Sequence, residues 1–429
     1  MSPAAFALLA FLPDVAIELQ GDFVTVAHIR SDTDFDATRR FYDPDGQAAA
    51  QAATFFRPGL TLRPGLDLAV FYEAELGWSA WSRTDPGQPN PYGETDLAGI
   101  TARHHQLWAE WRPDDALAVR IGFQPIADPS RLFLDHHLGA ARVDLTVGAL
   151  STRFFAGQLP DSTFEGIAVN EDNFVNDSLL VGSQSAWDID FLVLDAGLYA
   201  VIDQRVDDRP LRLGTGLLGV RVEREGYAAW LHVLGQYGTF GNTGVDGETT
   251  LLAGAAQLGM ALETGPWSAG FGAFALTPDD AYHGNDRQGA FFGSAKNLSP
   301  TRFLTEDETR DTYDNLDERL ASAWGPFFFD RAGLAVADAS ASYAVGEVWT
   351  PELIVGAGFA LEPENALGER FVGIELTWAN DFQVAKDAWF FAHALVFVPG
   401  GAAAARVNDV DRTATEPLFG GQAGFELRF

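Results

Sequence analysis

The chain of 429 residues contains no cysteine, so it can form neither a disulfide framework nor a thiolate metal site. Basic residues are scarce: 28 Lys and Arg stand against 60 Asp and Glu, which gives a formal net charge of −32. Nucleic-acid phosphates are bound by basic surfaces, so this charge balance argues against a nucleic-acid partner.

Long apolar runs are also missing, although 47% of the residues are apolar. A membrane-spanning helix needs roughly 20 consecutive apolar residues. The longest candidate, residues 389–405, is interrupted by His393, Pro399 and two glycines. If this chain enters a membrane, it therefore enters as strands. The abundance of Gly (44) and Phe (33) beside 2 Met agrees with that interpretation.

Catalytic motifs are absent from the sequence as well. It contains no GxSxG, no Walker loop and no HExxH, and no nucleophile stands beside a suitable base. We therefore expect no enzymatic activity and no cofactor.

Metal-ligand residues cluster at two histidine pairs and in one acidic run: His104-His105, His136-His137, and Asp32, Asp34 and Asp36. Neighbours on a strand point to opposite faces, so neither histidine pair can chelate one ion from a strand. The acidic run lacks the Gly and the distal Glu of an EF-hand. We interpret it as a solvated outer loop. Acidic loops of this kind could bind divalent cations, but we predict no resident metal.

From residue 17 onward, apolar and polar residues alternate with a period of two, which indicates strands. In residues 67–78, for example, Leu68 and Val70 share one face, while Glu73 and Glu75 lie on the other. A helix would not distribute its charges in this way.

The strand segments are joined alternately by nine long polar connections and eight turns of a few residues. Outer-membrane barrels show this asymmetry, with short periplasmic turns and long outer loops. The first strand begins and the last strand ends on the periplasmic side only if residues 187–205 form a hairpin. We place its turn at Asp195-Ala196-Gly197. We therefore predict an all-β, transmembrane, antiparallel up-and-down β-barrel of about 18 strands, with 16 strands as the alternative.

We assign residues 17–429 to this single barrel domain. Residues 1–16 hold an apolar stretch, residues 4–12, that resembles the core of a secretory signal, but no Lys or Arg precedes it. We interpret residues 1–16 as a partial leader, which leaves the true signal peptide open.

The last ten residues alternate in the same way and end on an aromatic residue. Gln422, Gly424, Leu427 and Phe429 resemble the C-terminal assembly signal of bacterial outer-membrane barrels: polar, any, Gly, any, any, apolar, any, aromatic. The resemblance implies a closing strand that the barrel-assembly machinery recognises. It also implies a location in the bacterial outer membrane, in contact with lipid and lipopolysaccharide.

Charges within apolar strands are predicted to face the lumen, because a charge on the lipid face near the midplane costs roughly 2–4 kcal/mol. The predicted pore-lining and selectivity residues are Arg57, Glu73, Glu75, Glu110, Arg112, Arg120, Arg142, Asp144, Arg153, Arg221 and Glu375. Charges nearer the strand ends complete the inward set: Glu18, Asp22, Arg30, Glu426 and Arg428. A mixed-sign lumen suits a water-filled channel that filters solutes by charge. The alternative for each residue is a salt bridge that only braces the wall.

Two long connections could narrow this lumen. In and beside the connection at residues 125–137, Gln124, Arg131 and Asp135 are the candidate constriction residues. The connection at residues 277–330 is the longest. It either folds over or into the pore or forms a disordered outer loop.

Two stretches of the sequence resemble the alginate-export family of outer-membrane porins. In residues 107–144 the matching positions are Gly122, Gln124, Arg131, Asp135, Gly139 and Arg142, while Phe123 stands where the family usually has Arg. In residues 371–400 they are Gly373, Glu375, Pro399 and Gly400. The resemblance implies an 18-stranded monomeric barrel that passes solutes. It does not imply alginate as the solute, because this predicted lumen is of mixed sign and the chain is acidic.

We therefore expect a porin that passes small hydrophilic or charged solutes, with a saccharide or an anionic polymer as one option. Two alternatives stay open. The first is a non-transporting outer-membrane barrel that acts in surface adhesion or structure through its acidic outer loops. The second is a soluble all-β protein, which would lack the heat-modifiable gel migration of outer-membrane barrels.

Overall fold

The computed structural model describes residues 15–30, 49–65, 67–78, 100–158, 178–203, 211–241, 248–279, 287–293, 300–301, 325–326, 332–366, 368–408 and 415–429. Nearly all of these residues belong to strands of one sheet. The predicted run at Asp32, Asp34 and Asp36 lies outside the described residues. No helix of the described chain has the length and apolar character that crossing a membrane requires.

The sheet contains 18 long strands. In chain order they are β1 Ala16–Arg30, β2 Ala49–Arg63, β3 Leu68–Trp78, β4 Ile100–Trp111, β5 Leu117–Ala127, β6 Asp135–Val147, β7 Leu150–Gly157, β8 Ser178–Ile189, β9 Leu192–Asp203, β10 Leu211–Arg224, β11 Tyr227–Gly241, β12 Glu248–Thr264, β13 Trp267–Leu276, β14 Leu334–Tyr343, β15 Trp349–Ala360, β16 Phe371–Ala385, β17 Ala388–Pro399 and β18 Leu418–Arg428.

Each strand pairs antiparallel with its neighbours in sequence, and β18 pairs back onto β1, from Asp22 opposite Arg428 to Arg30 opposite Gly420. The sheet therefore closes into an up-and-down barrel, as predicted. The short turns all lie at one end, here called the turn side, and the long connections lie at the other, the loop side. The predicted count of 18 strands is confirmed.

The outer face of the barrel is apolar. Along β9, Leu194, Leu198 and Ile202 are exposed and alternate with the buried Tyr199 and Val201. Exposed aromatic residues lie near the turn-side ends of several strands: Trp111, Trp187, Tyr227, Trp267, Tyr343 and Phe429. An apolar band edged by aromatic side chains is the lipid-facing surface of an outer-membrane barrel.

Two details of the predicted wall are wrong. The hairpin after β8 turns at Asp190 and Phe191, not at residues 195–197, and Asp190 takes the positive φ of 59° that this tight turn requires. Val372, which alternation places on the lipid face, is fully buried. A bulge causes this shift, because Gly358 pairs with Gly373 and Phe359 with Phe371, so that Val372 has no opposite residue.

In the part of the chain that the structure describes, one helix, α1 (Gly401–Asn408), and one 3₁₀ turn (Pro363–Ala366) lie in the loop-side connections. Ala402, Ala403 and Ala404 of α1 are fully buried. The sequence does not indicate this helix, because a run of alanines has no apolar periodicity that separates it from the strand before it.

The C-terminal strand makes the seam that closes the barrel. The amide of Phe429 donates to the carbonyl of Gly21 at 3.0 Å, and the amide of Gly21 donates to Phe429 at 2.9 Å. Gly424 faces inward at the centre of the seam. A Cβ at this position would overlap the ring of Phe391 and lie 2.5 Å from the carbonyl oxygen of Thr25. The glycine of the predicted assembly signal is thus required by space.

We expect Gly424→Val to prevent closure of the seam, because its side chain would force apart β17, β18 and β1. The measurement is the fraction of refolded protein that shows heat-modifiable gel migration. Ala423→Val, on the exposed face of the same strand, is the matched control and should fold as the wild type does. Equal folded fractions for the two variants would contradict this account of Gly424.

Candidate functional site: the lumen and its infolded loops

The connection between β5 and β6 folds into the barrel. Asp128 organises it: one carboxylate oxygen accepts hydrogen bonds from the amide and the hydroxyl of Ser130, and the other accepts from the amides of Phe133 (3.0 Å) and Leu134 (2.6 Å). These bonds close residues 128–134 into a tight loop. Leu132, Phe133 and Leu134 of this loop are fully buried. Burial raises the pKa of the Asp128 carboxyl, although the hydrogen bonds from Ser130, Leu134 and Phe133 act in the opposite direction.

Part of the connection between β13 and β14 also lies inside the barrel. The side-chain amide of Gln236 on β11 donates to the carbonyl of Phe292 at 2.7 Å and accepts from the amide of Phe292 at 2.9 Å. Thr277 and Asp279 each bind Gly289 through a side-chain oxygen. Of the two alternatives for residues 277–330, the described residues 287–293 thus support folding into the barrel.

The infolded segments share one apolar cluster with the inward faces of the wall. A Cβ on Gly293 would overlap the carbonyl oxygen of Leu132, so the two segments touch. Phe133 packs against Tyr199 of β9 with ring centroids 5.0 Å apart. The cluster continues along the wall through Leu180, Val201, Leu211, Leu213, Leu234 and Leu251.

This cluster corrects the predicted lumen, which was polar throughout. On the loop side, most inward positions of β8–β12 are apolar, with polar exceptions such as Thr215, Gln236 and Thr249, and packed loop segments cover them. Inward residues were predicted from their charge, and an inward leucine cannot be told from a lipid-facing leucine in that way. Charged inward residues concentrate toward the turn side.

The charged wall is built from small ion-pair groups. Glu110 of β4 binds Arg120 of β5 at 2.6 Å and Arg112 at 3.1 Å. Asp144 of β6 binds Arg142 at 2.6 Å and Arg153 at 2.7 Å. In both groups one carboxylate is shared by two guanidinium groups, so each group keeps a net positive charge.

Two other predicted pore-lining arginines each bind a buried carboxylate. Arg57 lies 2.6 Å from Glu75, whose side chain is 1% exposed. Arg221 lies 2.8 Å from Asp195 and also binds Glu223 at the turn-side rim. The Arg57–Glu75 and Arg221–Asp195 pairs each join neighbouring strands, whereas Arg221 and Glu223 lie on the same strand.

Residues of the arginine groups line a cavity of about 620 Å³ on the turn side of the infolded loop. Arg142, Arg153 and Arg221 belong to its wall, and Asp128 and Arg131 of the infolded loop lie at its upper boundary. A second cavity of about 620 Å³ is bordered by Arg63, Arg112 and Arg120, together with Trp108. The wall of the first cavity also contains carboxylates: Asp114, Asp115, Asp128, Asp144 and Asp195. The lumenal space that the described residues enclose is therefore lined by guanidinium and carboxylate groups together.

The three candidate constriction residues lie close to this cavity but in different settings. Gln124 is on β5, fully buried, and donates to the carbonyl of Ala140 at 2.9 Å. Arg131 is half exposed at the tip of the infolded loop, where it borders the cavity, with Asp135 3.7 Å away. Arg131 is thus the candidate whose side chain reaches open space.

The remaining predicted residues lie elsewhere. Glu375 is fully buried on β16, where it accepts a hydrogen bond from Thr377. Glu73 binds His105, and the ring of His105 lies 4.5 Å from that of His137, so one member of each histidine pair meets the other. Within the described residues, no cluster of three metal-ligating side chains could hold an ion.

Rim residues complete the inward set: Glu18 pairs with Arg63 and Glu426 with Arg428, all near the turn side. Asp22 lies on β1 opposite Arg57. The side chain of Arg30 is outside the described part of the structure.

Four buried polar residues of the inner wall were not predicted from the sequence: Gln184, Asp195, His232 and Gln236. Asp195 was assigned to a turn, yet it lies mid-strand, 1% exposed, between Arg221 and His232. Gln184 donates to the carbonyl of Ala127 and so ties β8 to the start of the infolded loop. The alternating pattern of β8–β11 could have placed these residues, with Gln236, on the inner face, but it does not reveal what they contact.

The chain matches no family model and no curated protein sequence. Among solved structures, it is similar to OccK9 (OpdG) of Pseudomonas aeruginosa, with a TM-score of 0.59 and 13% identity over 98% of this chain and all of that one. A BenF-like porin from Pseudomonas fluorescens gives a TM-score of 0.58 at 9% identity, covering 96% and 98% of the two chains. OccAB1 of Acinetobacter baumannii gives 0.56 at 9% identity, with 96% of each chain covered.

The chain has the porin fold. These similarities extend over nearly the whole length of both chains in each comparison, so they concern the entire barrel. Together with the apolar outer face, they place the protein in the bacterial outer membrane.

We expect Asp144→Asn to destabilise the barrel by about 2–4 kcal/mol, because two guanidinium groups would lose their shared counter-charge. Urea unfolding followed by tryptophan fluorescence in lipid vesicles measures the change. The control is Asp188→Asn on β8, an exposed aspartate at the turn side, which should stay close to the wild type. An equally stable Asp144→Asn protein would mean that the arginines need no common partner.

Proposed function

We propose that this protein is a passive channel for small hydrophilic solutes, and that the arginine-rich part of its inner wall selects among them by charge. The observation that carries the proposal is the pair of turn-side cavities inside the barrel, which are bordered by Arg112, Arg142, Arg153 and Arg221. Charged side chains around an aqueous path give channels their ion preference.

The distribution of charge around the barrel supports charge selection. The strands β11–β17 contain neither Lys nor Arg, whereas β4–β10 carry the arginine groups. Asp338 of β14 and Glu375 of β16 are buried acidic residues of the opposite wall. In a closed barrel of 18 strands, β6 and β15 lie half a circumference apart, so the arginine-bearing wall faces a wall whose strands have neither Lys nor Arg.

We further propose that the preferred solutes are small anions. The two arginine groups that share one carboxylate favour anions over cations among small solutes. A polysaccharide or anionic polymer, and with it membership of the alginate-export family, is supported only by the matching sequence positions in residues 107–144 and 371–400. We give that option less weight than a small anion.

A non-transporting barrel is the second candidate, and one observation favours it. The infolded residues 128–134 and 287–293 pack tightly against the loop-side wall and against each other. A barrel filled in this way could serve as a scaffold for its outer loops. Absence of conductance in planar bilayers would support this candidate.

We expect Arg153→Glu to make the channel less anion-selective. Asp144 keeps Arg142 as a partner, so the variant should fold. A change of two charge units about 7 Å from a permeating ion in water is worth about 1 kcal/mol, against chloride and in favour of potassium, which predicts a roughly thirtyfold fall in the chloride-to-potassium permeability ratio. The ratio is obtained from reversal potentials under a KCl gradient in planar bilayers.

The matched control is Arg212→Glu on β10, because Arg212 alternates with the inward residues of its strand and is exposed on the outer face. Its permeability ratio should equal that of the wild type. If both substitutions shift the ratio alike, the effect arises from the surface and not from the lumen, and the assignment of the arginine wall fails.

A further inference from the structure

Residues 289–293, called the strap below, cross the loop-side part of the barrel interior. Ala290, Phe291 and Phe292 are 2% exposed or less. At the start of the strap, Gly289 accepts a hydrogen bond from the hydroxyl of Thr277 at 2.7 Å and donates one to Asp279 at 2.8 Å. These two contacts come from the chain just before the strap, so they fix its root.

Just before the strap, residues 287–288 pair in parallel with Thr250 and Leu251 of β12, and at its far end Phe292 and Gly293 pair antiparallel with Gly325–Pro326. One side chain of the barrel wall hydrogen-bonds to the main chain of Phe292. Gln236 of β11 both donates to and accepts from the main chain of Phe292, as the opposite residue in a β-ladder would. Its amide nitrogen also lies 3.2 Å from the hydroxyl of Thr215 on β10. Gln236 is 2% exposed and lies among apolar residues.

A primary amide suits this position for a physical reason. Main-chain groups buried among apolar side chains must be paired, because an unpaired group loses its hydrogen bonds to water and gains none in return. The glutamine amide offers one donor and one acceptor at the length needed to pair both groups of Phe292. Leucine or methionine could fill the same volume but would pair neither group.

The strap also touches the second infolded segment. Gly293 lies against the carbonyl of Leu132, and the neighbouring Phe133 packs on Tyr199. Displacement of the strap would therefore remove support from the loop that carries Arg131 at the edge of the turn-side cavity. The position of the strap thus affects the space available on both sides of the infolded loops.

We propose that Gln236 is the positioning residue that holds the strap against the wall and thereby sets the clearance of the lumen on the loop side. The inference rests on the proposed channel function for its effect on solutes, but its structural part can be measured without any transport. Loss of the hydrogen bonds between Gln236 and Phe292 should free the strap from the barrel wall and widen the lumen on the loop side.

The absence of native cysteine permits a direct test, because a single introduced thiol gives no background labelling. Ala290→Cys places that thiol on the buried strap. In folded protein in lipid vesicles, a water-soluble maleimide should react with it slowly. Adding Gln236→Leu should raise the rate about tenfold, the population change expected from losing one buried hydrogen-bonded pair.

Gln257→Leu is the matched control, because Gln257 lies on the neighbouring strand β12, opposite His232 and away from the strap. It should leave the labelling rate unchanged. Gln236→Met, which keeps the length of the side chain, replaces Gln236→Leu if the latter fails to show heat-modifiable folding. An unchanged labelling rate in both Gln236 variants would overturn the inference.

Single-channel conductance separates this inference from the proposed function. Without the added cysteine, Gln236→Leu should conduct severalfold more than the wild type or Gln257→Leu, or open in bursts. Faster labelling together with unchanged conductance would refute the role of the strap in clearance. Faster labelling with no conductance in any variant would support the role of Gln236 in holding the strap and would contradict the channel proposal instead.

Discussion

Lipid offers no hydrogen-bond partner to the peptide backbone, so every N–H and C=O group at membrane depth must be paired within the protein. In this chain the requirement is met by closure. β18 pairs with β1 along nine residue positions, and the terminal residue Phe429 exchanges two main-chain hydrogen bonds with Gly21. Gly424 lies in the middle of that seam, where the backbone of β1 and the ring of Phe391 leave no room for a side chain.

Closure also determines what the interior can be. Because side chains alternate, each strand presents one face to lipid and one to the lumen, and near the bilayer midplane a charge is tolerated only on the inner face. The inner face is itself divided. Toward the loop side it is covered by residues 128–134 and 287–293 and is apolar, while toward the turn side it carries shared ion pairs and open cavities. A solute would meet a packed constriction and an arginine-rich chamber in sequence.

Buried polar groups connect these two regions. Asp128 holds the first infolded loop, Gln184 ties the beginning of that loop to β8, and Gln236 ties the second segment to β11. Each of these side chains supplies a hydrogen-bond partner to buried main-chain groups that have no partner strand in the sheet. The arginine groups act differently, since two guanidinium groups share one carboxylate and leave positive charge facing the chamber.

Much of this architecture could be predicted from the sequence. Period-two alternation located the strands, and the contrast between long and short connections gave their number and direction, because both follow from local chain geometry. The inward orientation of Arg120, Arg142 and Glu110 followed from the cost of placing a charge in lipid. The hairpin turn was misplaced at Asp195 because Asp-Ala-Gly is as suitable for a turn as Asp190-Phe191, and only pairing between β8 and β9 distinguishes them.

The sequence by itself determined that the chain forms a closed barrel with an apolar exterior, since those properties depend on neighbouring residues along each strand. Only the tertiary structure decided that Val372 is buried at a bulge, that Asp195 pairs with Arg221, and that Gln236 holds Phe292. These contacts join residues up to 56 positions apart. They arise from the curvature of the closed sheet and the space it encloses, which no local pattern encodes.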